Sequence, residues 1–214
     1  MVLCDIGNTT FHFKDGKKDF RINIEEDIKD KIDSSKTIYF ISVNEKATKK
    51  LQKNYPNTIN LKDLLKFKTS YNGMGIDRVI VCSYVSNAII VDIGSAITVD
   101  IMKNDVHKGG FILPGLSSYE KTYPKISKKL LFKLNTNINL DKIPLDTSSA
   151  INFAVMSAIV LPILKIYEKY KLPLYFTGGD AKKILKYFKN QETIYEKNMI
   201  FKSMKKIIKN KRGK

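Results

Sequence analysis

The chain has 214 residues, of which 43% are hydrophobic, a size and composition typical of a globular protein with one large core or two smaller lobes. In the sequence, no apolar stretch approaches the roughly 20 residues of a membrane span, and no basic region with a cleavage site opens the chain. We therefore expect no membrane segment and a cytoplasmic location. The 38 basic and 21 acidic residues give a net charge of +17, which can indicate an anionic partner such as nucleic acid or phosphates.

The positive charge is concentrated in the tail, where residues 202–214 include seven basic side chains and no acidic one. Most other lysines fall on polar faces of predicted helices, and aromatic residues are not interleaved with arginines. This pattern argues against a dedicated nucleic-acid surface. Cys4 and Cys82 lie within apolar runs, which predicts reduced core residues, and with only two histidines we expect no zinc site.

The first half of the chain predicts alternating strands and helices. A strand, the turn "DIGNT" and a second strand open it, and "FRINI" predicts a third strand after the turn at Asp15 and Gly16. "EEDIKDKIDSS" predicts a helix, "TIYFISV" a buried strand, and "NEKATKKLQKNY" a helix capped by Asn44 that ends before Pro56. "SYNGMGIDRV" predicts a loop that brings Asp77 to the start of a helix ending near Ala88. This order indicates an α/β protein.

The second half begins by repeating the first. "IIVDIGSAITVDI" predicts another hairpin with Asp-Ile-Gly at its turn, 87 residues after the first. A glycine-containing loop, a helical and loop region over residues 116–142 and a small-residue helix from Thr147 follow. "LPLYFTGGDAKKILKYF" then predicts a strand, a double-glycine turn and a helix, before a last apolar segment and the basic tail. The repeat predicts two lobes, residues 1–88 and residues 89–214.

A doubled Asp-Gly hairpin suits phosphate chemistry. Glycine lets the backbone turn sharply beside a ligand, and successive N–H groups of the turn can point at phosphate oxygens. An aspartate beside phosphates would repel them unless a cation stood between, so Asp5 and Asp92 indicate cation binding. Two such turns facing each other would clamp a nucleotide, although neither has the glycine pattern of the common phosphate loops.

Six motifs together resemble one family. "DIGNT", "GIDR", "VDIGSAITVD", "GGFILPGL", "DTSSAI" and "TGGDA", in this order over nearly the whole chain, are similar to type III pantothenate kinases. The resemblance implies two ribonuclease H-like lobes facing across a nucleotide cleft, the actin-like ATPase fold. It also implies ATP-dependent phosphorylation of pantothenate to 4′-phosphopantothenate, the first step of coenzyme A biosynthesis, by a homodimer.

The resemblance also implies roles for individual residues. Asp77 would be the catalytic proton acceptor, Asp5 would hold Mg²⁺, and Asp92 would bind a monovalent cation, K⁺ or NH₄⁺. ATP would be bound by Asp5, Ile6, Gly7, Asn8, Thr9, Thr10, Phe11, His12 and Ser95. Pantothenate would be bound by Tyr71, Gly75, Ile76, Asp77, Arg78 and Thr147.

The residues themselves agree with these roles and leave alternatives open. A fork-shaped arginine such as Arg78 suits a carboxylate, and pantothenate carries one. Asp77 could instead cap the helix that begins beside it. Ala150, Ala154 and Ala158 have a spacing that permits close helix packing, either within the subunit or at a dimer interface.

Two other functions fit the same motifs. The first is a non-catalytic regulatory relative of the same fold, since a related branch includes transcriptional activators. The second is a kinase for another small hydroxylated substrate. Retention of Asp5, Asp77, Arg78 and Asp92 favours an enzyme, and "GIDR" favours pantothenate. The basic tail is expected to be solvated and dispensable.

Overall fold

The computed structural model describes residues 1–212 and divides the chain into two compact units. The first contains Met1–Tyr84 together with the chain from Met199 onward, and the second contains Val85–Asn198. The predicted boundary between the lobes lay at residue 88, and the last apolar segment was assigned to the second lobe, where the structure forms α5 over Met199–Arg212. That helix instead belongs with the first unit, because its apolar side chains pack there.

The first unit is built on a five-stranded sheet with a helix on one face and two on the other. The strand order is β3-β2-β1-β4-β5, with β1, β2 and β3 antiparallel and β1, β4 and β5 parallel. The strands are β1 (Val2–Ile6), β2 (Thr10–Asp15), β3 (Lys18–Asn23), β4 (Ile38–Ser42) and β5 (Thr58–Asn60). The helices are α1 (Glu45–Asn54), α2 (Ile76–Cys82) and α5 (Met199–Arg212), and the short strand β6 is Lys68–Thr69. A 3-10 helix covers Leu61–Leu64.

The two faces of this sheet have separate apolar clusters. On one face, Leu51 of α1 packs with strand residues such as Phe11 and Phe13. On the other, Phe201 of α5 packs with Leu3 and other apolar residues, and all five of these side chains are at most 1% exposed. The amphipathic pattern of α5 therefore serves as the cover of a sheet face, which explains its place in the first unit.

One predicted helix of this unit does not form. Residues 25–35 form successive turns, in which the side chains of Asp27 and Asp33 each accept a hydrogen bond of 3.0 Å from the backbone two residues on. Asp30 lies in the left-handed region, with φ of 57°. Aspartate side chains that bond their own backbone compete with helical hydrogen bonds, so the prediction of a helix was wrong. Ile28 and Ile32 are nevertheless buried.

The second unit repeats the strand order of the first. Its strands follow the order β11-β10-β7-β8-β9, so an antiparallel meander is again continued by two parallel strands. They are β7 (Ala88–Ile93), β8 (Ala96–Lys103), β9 (Val106–Pro114), β10 (Leu174–Thr177) and β11 (Thr193–Tyr195). The helices are α3 (Leu116–Ile126) and α4 (Thr147–Tyr170), with 3-10 helices at Lys128–Leu130, Ala181–Lys183 and Leu185–Phe188. The repeat seen in the sequence therefore corresponds to a repeated strand order in the two sheets.

Helix α4 is the central helix of the second unit. Its buried side chains, including Val155, Met156 and Ile159, pack with strands β7 and β8. By length and composition α4 is also apolar enough to cross a membrane, so the expectation that no segment approaches that length was wrong. The same apolar residues that meet this criterion form the core of the unit. Cys4 and Cys82 are buried free thiols, as predicted.

Candidate functional site

The first Asp-Ile-Gly turn is a tight hairpin with exposed polar groups. The N–H of Gly7 donates to the carbonyl of Thr10 at 3.0 Å, which closes the turn. Asn8 and Thr9 are exposed at its tip. The side-chain amide of Asn44, the cap of α1, donates to the carbonyl of Asn8 at 3.4 Å and braces the turn from the next element. The turn therefore presents backbone and side-chain donors from a fixed position.

Two residues of the predicted ATP loop have side chains that cannot contact a nucleotide, because these side chains are buried. Ile6 and Phe11 are fully buried in the core between the sheet and α1. Any contact from these two positions to a phosphate would come from the backbone. The other predicted residues of the loop are exposed or partly exposed.

Asp5 stands at the end of β1, partly buried and close to a second carboxylate. Burial raises the pKa of Asp5 to about 6, the charge of Asp77 acts in the same direction, and Arg21 opposes them. A partly buried carboxylate that lies near a second carboxylate favours a cation between or beside them. The pair formed by Asp5 and Asp77 therefore fits a divalent cation.

A row of polar side chains extends from Asp5 across the sheet. Asp5, His12 and Arg21 are register partners on β1, β2 and β3, so their side chains share a face. His12 Nε2 lies 2.6 Å from a carboxylate oxygen of Asp19, and its Nδ1 lies 3.3 Å from Arg21 Nη2. Because ionised Asp19 can only accept and the guanidinium can only donate, Nε2 carries the ring proton and Nδ1 accepts.

This arrangement keeps His12 neutral and fixed in orientation. Burial lowers the pKa of His12, and the hydrogen bond to Asp19 only partly offsets this. The ring also packs edge-on against Phe201 of α5, with centroids 4.7 Å apart. Sequence reasoning missed Arg21 and Asp19, because only the register of β2 against β3 brings them to His12.

Asp77 is the second residue of α2 and is not its cap. Gly75 occupies the cap position, so no side chain caps the start of this helix. The Asp77 carboxylate folds back over this glycine: a Cβ atom at Gly75 would lie only 2.5 Å from Asp77 Oδ1. The alternative role of Asp77 as a helix cap is thereby removed, and Gly75 is needed to leave room for its carboxylate.

Arg78 and Tyr71 form a stacked pair in the same loop and helix. The guanidinium carbon of Arg78 lies 4.8 Å from the centre of the Tyr71 ring, within the range of a cation–π interaction. Arg78 is only 6% exposed, whereas Tyr71 is partly exposed. The backbone N–H of Tyr71 also donates to the Thr69 hydroxyl at 2.9 Å. The structure thus brings Tyr71, Gly75, Asp77 and Arg78 together in the first unit.

The second Asp-Ile-Gly turn is enclosed by two glycines from distant parts of the second unit. Gly178, at φ of 91°, approaches so closely that a Cβ there would lie 2.4 Å from the Ile93 carbonyl and 2.5 Å from Asp92 Oδ1. A Cβ at Gly115 would lie 2.4 Å from the Ser95 carbonyl. Asp92 is partly exposed and Ser95 is exposed. The motifs "TGGDA" and "LPG" therefore share one location with the hairpin turn.

Thr147 lies at the start of α4 in the second unit. The cap of this helix is Asp146, whose carboxylate accepts a hydrogen bond of 2.9 Å from the N–H of Ser149. Thr147 is exposed and free of the capping role. It is thus accessible to a ligand or to another subunit.

Comparison with known proteins identifies the family to which these motifs belong. The model of the type III pantothenate kinase family matches residues 41–169. A type III pantothenate kinase of Campylobacter jejuni is 44% identical over 209 residues, which cover 98% of this chain and 97% of the relative. One of Helicobacter hepaticus is 38% identical over 208 residues, covering 97% and 98%. The chain belongs to the type III pantothenate kinase family. It is therefore a kinase, as the motifs predicted.

Solved structures place this family member in its fold class. A crystal structure from Campylobacter jejuni, described as a conserved Baf family transcriptional activator, is 39% identical, with a TM-score of 0.82 and full coverage of both chains. A Sinorhizobium meliloti structure described as a 2-dehydro-3-deoxygalactonokinase is 6% identical, with a TM-score of 0.58 and 98% coverage of each chain. The second likeness concerns the fold alone. The predicted α/β fold is confirmed, and it is shared with this sugar kinase.

Proposed function

We propose that this kinase transfers the γ-phosphoryl group of ATP to pantothenate and forms 4′-phosphopantothenate, the first step of coenzyme A biosynthesis. The observation that carries the proposal is the proximity of Asp5 and Asp77. One belongs to the motif that resembles the family's phosphate loop and the other to the motif that resembles its acceptor loop, and the charge of Asp77 raises the pKa of Asp5. The donor motif and the acceptor motif are therefore near enough for their carboxylates to interact electrostatically, which supports the proposal.

The residues of the first unit suit an in-line transfer. Donors of the turn at Gly7, Asn8 and Thr9 hold the phosphates, and Asp77 orients the primary hydroxyl of pantothenate toward the γ-phosphorus. The hydroxyl oxygen bonds to phosphorus, the bond to the bridging oxygen of ADP breaks, and the hydroxyl proton passes to Asp77. Because the transition state is loose, the proton leaves late, and positioning is the main contribution of Asp77.

Cations complete the proposed site. Asp5 would hold the Mg²⁺ that accompanies ATP and offsets charge on the phosphates. Asp92 would hold a monovalent cation, K⁺ or NH₄⁺, with Ser95 beside the nucleotide. Arg78 fixes Tyr71 in the acceptor loop through the stacked pair.

We also propose a homodimer, formed through the exposed side of α4. Ala150, Ala154, Ala158 and Leu161 lie on one side of this helix and are exposed, Leu161 by 54%. A stripe of small residues with one large apolar neighbour allows two helices to approach closely. Thr147, at the start of the same helix, would then lie near the partner subunit. We propose a cytoplasmic location, where ATP and pantothenate are available.

The experiment that tests the proposed function is ADP release with ATP, Mg²⁺, K⁺ and pantothenate. We expect turnover that depends on pantothenate and K⁺ and falls by at least roughly 100-fold in Asp77→Asn, consistent with loss of a positioned base. Asp30→Asn is the matched control, because Asp30 is exposed and its left-handed conformation suits asparagine. Full activity of Asp77→Asn would contradict the assigned role.

A second candidate function is regulatory. The Campylobacter jejuni structure described as a transcriptional activator and the net charge of +17 favour it. This reading predicts no ATP turnover from folded protein and nucleic-acid binding that weakens steeply with salt. A substrate panel covers the remaining alternative, since preference for another hydroxylated acceptor would replace pantothenate and leave the kinase assignment intact.

A further inference from the structure

Four polar side chains on one face of the first sheet form a chain of hydrogen bonds that ends in a guanidinium group. Lys14 Nζ donates to one carboxylate oxygen of Asp19 at 3.1 Å, and His12 Nε2 donates to the other at 2.6 Å. Arg21 Nη2 then donates to His12 Nδ1 at 3.3 Å. The carboxylate therefore fixes the imidazole, and the imidazole fixes the guanidinium.

Most of the donors of Arg21 are not used by the protein. A guanidinium carries five N–H donors in a fixed fork. Within the described residues 1–212, Arg21 makes its one hydrogen bond to neutral His12, and no carboxylate forms an ion pair with it. Asp19, the acidic residue on the same strand and face, is already bound by Lys14 and His12. Because Arg21 is also exposed, its remaining donors are available to an anion from solution.

This guanidinium lies on the side of the sheet that carries Asp5. Neighbouring strands are about 4.8 Å apart, so the backbones of Arg21 on β3 and Asp5 on β1 are separated by roughly 10 Å. The arginine side chain spans part of this distance, since it reaches back over His12 to make its hydrogen bond. Its positive charge also opposes the rise in the pKa of Asp5, which agrees with this approach.

The anion that suits this place is a phosphoryl group. A guanidinium fork matches two phosphate oxygens, and two such hydrogen bonds to a charged group are stronger than neutral ones. Asp5 favours a cation and Arg21 favours an anion, so together they suit a phosphate that is accompanied by a cation. Asp5 also lies near Asp77, the proposed proton acceptor, and the phosphoryl group beside both carboxylates would be the one that is transferred.

Resting on the proposed function, we propose that Arg21 is a further catalytic residue, which binds oxygens of the γ-phosphoryl group of ATP during its transfer. Positive charge at this point stabilises the negative charge that the equatorial oxygens carry in the transition state. Asp19 and His12 are positioning residues, because they hold the guanidinium in one orientation.

The first part of the test is turnover with pantothenate. In Arg21→Gln we expect kcat/KM for ATP to fall roughly 100-fold or more, the effect of losing a charge-assisted contact that strengthens in the transition state. Arg21→Lys keeps the charge without the fork and should recover part of this loss. Lys17→Gln is the matched control, since it removes one positive charge from the exposed turn of the same hairpin and should keep full activity.

The second part needs no pantothenate and compares a non-hydrolysable ATP analogue with ADP in calorimetry, both with Mg²⁺. In Arg21→Gln we expect affinity for the analogue to fall roughly 10-fold and affinity for ADP to stay within about twofold. Asp19→Ala should lower the preference for the analogue less, by roughly threefold, because the guanidinium remains but is no longer held in place. A merely structural role would weaken both nucleotides equally.

Unchanged kcat/KM for ATP in Arg21→Gln, or equal losses of affinity for the analogue and for ADP, would overturn the role of Arg21 and leave the proposed function standing. A fall in turnover with both affinities unchanged would mean that the contact forms only in the transition state, which supports the proposal. If wild-type protein binds neither nucleotide and does not phosphorylate pantothenate, the proposed function and the role of Arg21 both fail.

Discussion

The Asp5 carboxylate is held where its negative charge is unfavourable in the absence of a cation. Its pKa is raised from an ordinary value near 3.8 to about 6, so its effect on stability favours folding below pH 3.8 and is lost as the pH rises through 6. In metal-free protein at pH 7.5 we expect Asp5→Asn to raise the free energy of unfolding by about 2 kcal/mol, somewhat less than the full shift implies.

Urea unfolding in the presence of a chelator measures this gain. The same comparison at pH 4 is the control, because Asp5 is then protonated in most folded molecules and the gain should nearly vanish. A variant less stable than wild type at pH 7.5 would show that the asparagine loses more in contacts than it gains by removing charge. Asp5→Asn should also lack turnover. The aspartate therefore lowers the stability of the metal-free protein but is needed for activity.

Arg21 sets the pH at which Asp5 ionises. Its positive charge opposes the rise in the pKa of Asp5, so Arg21→Gln should raise that pKa further. The acidic limb of kcat/KM for ATP, which reports groups of the free enzyme, should therefore move to higher pH. Lys17→Gln, exposed in the β2–β3 turn, is the control. A limb that stays in place or moves to lower pH would contradict the proximity of Arg21 and Asp5.

At the scale of single elements, the double-glycine turn after β10 offers a test of backbone geometry. Gly178→Ala forces a Cβ to within 2.4 Å of the Ile93 carbonyl at a positive φ, whereas Gly179→Ala meets no atom within 4 Å. We expect Gly178→Ala to destabilise the protein by about 3 kcal/mol or more and Gly179→Ala by less than about 1 kcal/mol. Thermal or urea unfolding of the two variants measures the difference. Similar losses of stability in both variants would contradict the close approach of Gly178 to the Ile93 carbonyl.

Local chemistry made some elements predictable and left others out of reach. The two Asp-Ile-Gly hairpins and the Asn44 cap were predicted correctly, because turns and caps depend on neighbouring residues. Residues 25–35 have a helical spacing of apolar residues, yet the Asp27 and Asp33 side chains bond their own backbone, and a pattern of hydrophobicity does not register that competition.

In the candidate site, too, positions set by neighbouring residues were predictable and positions set by long-range contacts were not. Motifs located Asp5 and Asp77, since each is fixed by its own turn. Arg21 lies on the same sheet face as Asp5 through the pairing of β1 with β2 and of β2 with β3, so its position does not follow from sequence spacing. Long-range neighbours of this kind require the assembled sheet.

At the scale of the whole molecule, the exposed stripe on α4 predicts an oligomer. Leu161→Glu places a charge within the proposed interface and should convert a dimer to a monomer in light scattering, and turnover should fall because we propose that Thr147 of the acceptor site lies near the partner subunit. Gln52→Glu, exposed on α1, is the control for added charge. A wild-type monomer, or a dimer that persists in Leu161→Glu, would overturn this interface.

The placement of α5 governs the order in which the chain can fold during synthesis. Phe201, Met204 and Ile208 cover a face of the first sheet, yet about 110 residues of the second unit are translated between that sheet and α5. At ordinary translation rates this interval is on the order of ten seconds, long enough for the second unit to fold as it emerges. A chain that ended before Met199 would therefore contain a complete second unit and a first sheet with one apolar face lacking its cover by α5.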